Sequence, residues 1–400
     1  MSRKPQACGP IVCVVGARPN YMKMAPLVRA FGARPELPAV VLVHTGQHYD
    51  VEMNERLFTG LELPPPDLNL EVGSGTHAVQ TGEIMRRFEP VLDRIMPSCV
   101  IVVGDVNSTL ACSLVAVKKG TPVVHVEAGL RSFDRDMPEE INRILTDQIA
   151  DLLFTTERAA AENLAREGIP HERVRFVGNV MIDSLRRHQQ HAVPPAETLA
   201  REHVPVDFLG DKTGFGVVTL HRPSNVDERE ALRESLALLR DVARRLPLIW
   251  PVHPRARDNI ERFGLSPLLA DSQVAFLPPQ GYLEMAGLLA NARLVLTDSG
   301  GIQEETTALS VPCLTMRDNT ERPVTVEQGT NTLVGRNRQH ALECVDAILR
   351  TGGKRGRMPE LWDGHAAERI AGALSAWLGA SDGAGTATGT AHRRGTGTGG

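Results

Sequence analysis

Short β-branched runs recur along this chain, each followed by a stretch of helical period, and that alternation limits the folds open to it. The clearest runs are Ile11–Val15, Ala39–His44, Val100–Val103, Val123–Val126, Gly216–Leu220, Val274–Leu277 and Leu294–Thr297. Apolar runs this short, bounded by turn residues and alternating with helices, build parallel, doubly wound sheets rather than a sandwich or a helical bundle. The expected fold class is therefore α/β. The pattern breaks over residues 188–212, a polar and proline-containing stretch that includes His188-Gln189-Gln190-His191-Ala192-Val193-Pro194-Pro195, and a new strand–helix series starts at Thr213. Two Rossmann-like halves, 1–187 and 213–365, are expected to face each other across a cleft, with 188–212 as the linker.

Composition narrows the partners. Hydrophobic residues make up 42% of the 400, enough for two cores. The formal charge of −4, with no Lys/Arg-dense run, argues against a nucleic-acid partner. Ile11–Val15 is too short for the apolar part of a signal peptide, and no later run is long enough to cross a membrane. The six cysteines (Cys8, Cys13, Cys99, Cys112, Cys313 and Cys344) show no CxxC pairing and read as reduced core residues of a cytoplasmic protein. Residues 380–400 are mostly Gly, Thr and Ala, a composition expected to remain a disordered tail.

Ligands of open α/β sheets bind at the carboxyl ends of strands, and there this chain places its polar motifs. The first run leads into Gly16-Ala17-Arg18-Pro19-Asn20-Tyr21-Met22-Lys23, which lacks GxGxxG and so disfavours a dinucleotide. Arg18 and Lys23 bracket a helix start and suit a phosphate or carboxylate, although a tight turn with solvated cations would look the same. Val103-Gly104-Asp105-Val106-Asn107-Ser108 repeats the arrangement, with Asn107 or Ser108 expected to cap the next helix. Glu127 ends another buried run, where a carboxylate is costly unless paired or facing a cleft. Met137-Pro138-Glu139-Glu140 reads as a first helical turn, which the helix dipole alone would explain. In the second half, His221 and Arg222 follow a strand directly. Thr297-Asp298-Ser299-Gly300-Gly301-Ile302-Gln303-Glu304-Glu305 joins a strand to a helix through bare glycine backbone, an anion site suited to a diphosphate. Glu305, one turn on, is placed to accept from ribose hydroxyls, and Arg322 adds a cation.

In this order GARPNYMKMAPL, HTGQHYD, VGDVNST, HVEAGLRS, MPEEINR, PVHP, LTDSGGIQEE and RDNTERP resemble the non-hydrolysing UDP-N-acetylglucosamine 2-epimerases, over residues from about 11 to 335. The resemblance implies a glycosyltransferase B fold with a C-terminal helix, here 366–378, packing back on the first domain. It implies that Arg18 and Lys23 reach toward the phosphates, that Ser299, Gly300 and Gly301 hold the diphosphate and Glu305 the ribose, and that Arg322 contacts the substrate. Gln280 and the segment from Tyr282 to Met285 match the uracil region. Asp105, Glu127 and Glu139 match the family's catalytic carboxylates, and His221, followed here by Arg222, its active-site histidine. A homodimer is a further implication. Two motifs depart from the family: Arg222-Pro223-Ser224-Asn225 follows the histidine, and Tyr49-Asp50 follows Gln47-His48, which argues against an allosteric substrate site.

The implied reaction constrains its own route. C2 of the sugar is not next to a carbonyl, so a simple carbanion is ruled out, and transient oxidation would need a nicotinamide site. Elimination of UDP to a glycal and re-addition needs bases on both faces and cations for the diphosphate, with no metal or cofactor expected. The rival readings are a hydrolysing 2-epimerase, a B-type glycosyltransferase and a non-catalytic nucleotide-sugar sensor.

Overall fold

The computed structural model of the chain describes residues 9–46, 60–210 and 213–382. Cys8, the Gln47-His48-Tyr49-Asp50 stretch and residues 383–400 of the tail lie outside the described residues. Among the described residues, thirteen strands form two sheets, and every pairing in them is parallel. The first sheet holds β1 (Ile11–Val15), β2 (Val40–His44), β3 (Leu68–Asn69), β4 (Cys99–Val103), β5 (Val123–Val126), β6 (Leu152–Thr155) and β7 (Val174–Phe176), in the order β3-β2-β1-β4-β5-β6-β7. The second holds β8 (Gly216–Thr219), β9 (Leu248–Pro251), β10 (Val274–Leu277), β11 (Leu294–Thr297), β12 (Cys313–Thr315) and β13 (Asn331–Leu333), in the order β10-β9-β8-β11-β12-β13.

All seven runs expected from the sequence are strands, with ends shifted by one residue at β2, β4 and β8. Strands β3, β6, β7, β9, β12 and β13 add to them. Each is two to four residues long, too short for a period to show. β6 also follows closely on the helix Pro138–Ile149, so its apolar residues read as more helix.

Strand order reverses between β1 and β4 in one sheet and between β8 and β11 in the other. At such a point successive crossovers leave on opposite faces, and a crevice opens beyond the carboxyl ends. Arg18 follows β1, Asp105 follows β4, His221 follows β8 and Ser299 follows β11. The four motifs thus stand at the four strand ends that the topology leaves open.

Local chemistry fixes these loops. The helix Arg18–Gly32 starts with Pro19, and Asn20 Oδ1 accepts from the N–H groups of Gly16 and Ala17, both at 3.0 Å. Its amide donates to the Val103 carbonyl at 3.2 Å, tying the β1 and β4 ends together. Asn107 and Ser108 do not cap the helix Asn107–Lys118, as the sequence suggested; Val106 holds the cap position without a side-chain bond. Asn107 instead takes the Gln80 side chain at 2.8 Å and Ser108 meets Thr45 at 2.7 Å, because both are buried between elements. The helix Ala366–Asp382, four residues longer than the expected 366–378, buries Ile370 and Leu374 in the core formed around Ile11, Tyr21 and Leu27. Within 188–212 the helix Pro195–Arg201 buries Leu199 against Phe215 and Leu288 of the second half, a contact of about 1.5–3 kcal/mol. Cys13, Cys99, Cys112 and Cys313 are buried and free.

Candidate active site

β5 ends at Val126, and Glu127 follows it with φ of +71°. That left-handed backbone costs a non-glycine residue about 1–3 kcal/mol. It is held by the N–H groups of Glu127 and Ala128, which both donate to the Phe154 carbonyl at 3.1 and 3.0 Å. Turned this way, the buried carboxylate meets the Lys23 ammonium on one oxygen and Arg322 on the other, the latter at 2.6 Å. Lys23 therefore lies inside its helix and is spent on Glu127, rather than bracketing the helix start as the sequence suggested. Gly104, with φ of +66°, allows this approach, since a Cβ there would fall 3.0 Å from Lys23 Nζ.

Arg322 is the hub. Its guanidinium reaches Glu127 at 2.6 Å, Glu304 at 2.8 Å and Glu321 at 2.6 Å. Burial, only partly offset by Arg322, pushes the Glu304 carboxyl up to about 7. Burial acts the same way on Glu321, but Arg322, Arg317 and Arg143 outweigh it and hold that carboxyl well below the usual range. Arg222 lies 3.6 Å from Glu321 and 3.8 Å from the half-exposed Glu139. Asp105 is paired with Arg143 at 2.9–3.0 Å. Burial opposes its ionisation, yet Arg143, Lys23 and Arg322 keep its carboxyl below the ordinary value. A buried charge costs several kcal/mol before pairing, so a network this dense marks a working cleft more than a device for stability.

His221 follows β8 and places Nδ1 3.0 Å from Asp298. Asp298 also accepts from the N–H of His221 at 3.1 Å, the N–H of Arg222 at 2.9 Å and Asn225 at 3.1 Å. Thus the carboxylate fixes the ring, leaving Nε2 for a ligand. The helix Gly300–Leu309 begins beside it, with Ser299 as the residue before. A Cβ at Gly300 would fall 2.5 Å from Arg322 Nη1, so only glycine lets the guanidinium lie under that helix start. Free N–H groups above a cation make an anion site.

A second group of residues adjoins the first. Arg18 donates to the Gln280 carbonyl at 2.7 Å, and the Gln280 amide donates to Pro278 at 2.9 Å. Burial and the nearby charge of Glu304 push the Glu305 carboxyl up to about 7, with Tyr282 and Arg18 beside it. Burial also pushes His253 down to about 4, helped by His221 and Arg18. Met285 is one turn along the helix Tyr282–Asn291 and packs on the second half's core. Gly301 faces Met181. Among the described residues, no group of three or more His, Cys, Asp or Glu side chains is placed to hold a metal ion.

Residues 30–375 match the family model for UDP-N-acetylglucosamine 2-epimerase. The chain belongs to that family. It is 40% identical over 361 residues to the UDP-N-acetylglucosamine 2-epimerase of Methanocaldococcus jannaschii, covering 89% of this chain and 96% of that one. It is 41% identical over 342 residues to the UDP-2,3-diacetamido-2,3-dideoxy-D-glucuronate 2-epimerase of Pseudomonas aeruginosa, covering 85% and 92%. A crystal structure of the M. jannaschii UDP-GlcNAc 2-epimerase in complex with UDP-GlcNAc and UDP matches with a TM-score of 0.83 at 39% identity, covering 92% of this chain and 99% of that one. The 2-epimerase fold is the glycosyltransferase B arrangement of two Rossmann-like halves.

Within this 2-epimerase cleft, the structure brings Lys23, Asp105, Glu127, Glu139, His221, Arg222, Ser299, Gly300 and Arg322 together, with Arg18, Gln280 and Glu305 grouped beside them, while Met285 packs on the second half's core and Gly301 faces Met181. Asp298, Glu304, Glu321, Arg143 and Arg317 belong to the network without having been singled out from the sequence. Each stands within or beside a motif that was, so the signal lay in LTDSGGIQEE, RDNTERP and MPEEINR.

Proposed function

We propose that the chain interconverts UDP-N-acetylglucosamine and UDP-N-acetylmannosamine by breaking and remaking the bond between C1 and UDP. One observation carries this reading: three carboxylates and the cations Lys23, Arg222 and Arg322 converge where both strand orders reverse. A carboxylate takes the C2 proton, the C–H electrons become the C1–C2 double bond, and the C1–O pair leaves with UDP. Protonation of C2 from the opposite face and return of the UDP oxygen to C1 complete the cycle. Asp105, Glu127 and Glu139 serve as the acid–base groups and His221, steadied by Asp298, assists at the sugar. Arg18, Arg322 and the Ser299–Gly301 backbone take the diphosphate as its charge develops. Glu305 receives the ribose, and Gln280 and Met285 border the uracil.

A second sugar is favoured by the P. aeruginosa relative, whose substrate carries an acetamido group at C3 and a carboxylate at C6. Incubating the chain with each UDP-sugar and following C2 by NMR separates the two. Free N-acetylmannosamine as the main product would replace this reading with the hydrolysing one, and no reaction without an added acceptor would favour a glycosyltransferase. Oxygen-18 placed between C1 and the β-phosphorus should scramble into non-bridging positions during turnover, and its retention together with no solvent deuterium at C2 would remove the elimination route. The family also supports a homodimer in the cytoplasm, measurable by light scattering of the purified protein; among the described residues, no helix is long and apolar enough to cross a membrane.

A further inference from the structure

His125 lies on β5, two residues before Glu127, and its ring is wholly buried. Nδ1 is 2.7 Å from Asp147 Oδ1, and Nε2 is 2.8 Å from the carbonyl oxygen of Gly104, the residue before Asp105. A carbonyl oxygen only accepts, so Nε2 carries a proton. Asp147 Oδ2 already accepts from the Gly129 N–H at 3.0 Å and from Arg131 at 2.7 Å. Arg131 is itself anchored by two 2.7 Å bonds to Glu167. Burial works against charge on Asp147, but His125 and Arg131 hold its carboxyl below the usual range.

We propose that His125 is a positioning residue whose ring ties the turns bearing Asp105 and Glu127 to one buried ion group. His125 grips the Gly104 carbonyl at the first turn, and Asp147 grips the Gly129 N–H just beyond the second. Glu127 carries left-handed backbone, which a non-glycine residue keeps only where its surroundings hold it, and the Asp147 bond adds to the hold of the Phe154 carbonyl. Two groups that hand a proton across one carbon need a fixed separation, and a displacement of about 1 Å costs on the order of 10²-fold in rate. The inference rests on reading Asp105 and Glu127 as acid–base groups.

Selective ¹⁵N-histidine labelling, with the His125 signals identified by their loss in His125→Gln, tests the ring in the whole protein at neutral pH. A proton on Nε2 is expected, as the Gly104 carbonyl requires, and a bare Nε2 would overturn the proposal. His125→Leu keeps the volume and removes both ring nitrogens. It should lower kcat about 10²-fold while KM and the UDP dissociation constant stay within about twofold, and His125→Gln, which keeps a donating amide nitrogen, should recover part of the loss. A ring that merely fills space predicts Leu no worse than Gln, and that result would overturn the positioning role. If His125→Leu does not fold, the wild-type spectrum and the kinetics of His125→Gln still decide. Wild-type protein that shows the Nε2 proton but no epimerisation would instead refute the proposed function.

Discussion

Carboxylates gather at strand ends in both halves of the molecule, and Asp105 in the first is held in the opposite state from Glu304 and Glu305 in the second. Asp105, after β4, is kept below its ordinary pKa despite burial, because Arg143, Lys23 and Arg322 all face it. Glu304 and Glu305, in the first turns after β11, are enclosed more fully and are pushed up to about 7. The difference lies in the supply of cations. Arg322 is divided among three carboxylates, and Arg18 spends a hydrogen bond on the Gln280 carbonyl. Burial is common to both regions; pairing decides the charge. Asp105 is kept as a carboxylate, whereas Glu304 and Glu305 are groups whose charge a ligand completes.

The harshest way to break this contrast is Arg322→Met. It leaves Glu127, Glu304 and Glu321 without their shared cation, and losing one partner of a buried pair costs about 3–5 kcal/mol. Urea unfolding should show that loss, and a change below about 1 kcal/mol would mean that pairing does not set the charges here. Next come Asp105→Asn, Glu127→Gln and Glu139→Gln, each expected to lower turnover by roughly 10² or more as acid–base groups do, with UDP binding retained. A near wild-type rate in any one of them withdraws that residue's role.

Smaller effects test the second half. Arg18→Ala should weaken UDP binding by about tenfold or more, the usual scale for a charged hydrogen bond, and Ser299→Ala by less. Unchanged calorimetric constants for both would remove the phosphate assignment. Glu305 gives a pH test whose sign is fixed. Free Glu305 holds its proton up to about 7, while a carboxylate accepting ribose hydroxyls has lost it. UDP binding should therefore release a proton below that pH, and affinity should rise about tenfold between roughly pH 6 and 8, flattening in Glu305→Gln. The same raised pKa makes this group lower the stability of the free protein as pH climbs from the ordinary carboxyl range to about 7.

The sequence made the strand ends visible because a buried strand must finish where polar residues begin. Asp105, Glu127, His221 and Ser299 were legible for that reason, and Gly300 for its bare backbone. Pairing was not. Arg322 and Glu127 are 195 residues apart, and nothing local tells an arginine beside Glu321 that its other partners lie on two other elements. Asp298 looked like part of a glycine turn, yet it steadies His221, because β8 and β11 are neighbours in register. Asn107 and Ser108 misled in the opposite sense: both are good cap residues, but burial between helices gave them better partners. Edge strand β13, Asn331-Thr332-Leu333, carries too little apolar pattern to register at all.

The contact between Arg322 and Glu127 joins residues that belong to different sheets. Parting the halves tears a dry ion pair open, and water must reach both charges before the cleft can gape. Added salt weakens exposed charges far more than dry ones. It should thus act mainly on the opened form, changing how long the jaws stay apart rather than how firmly they bite.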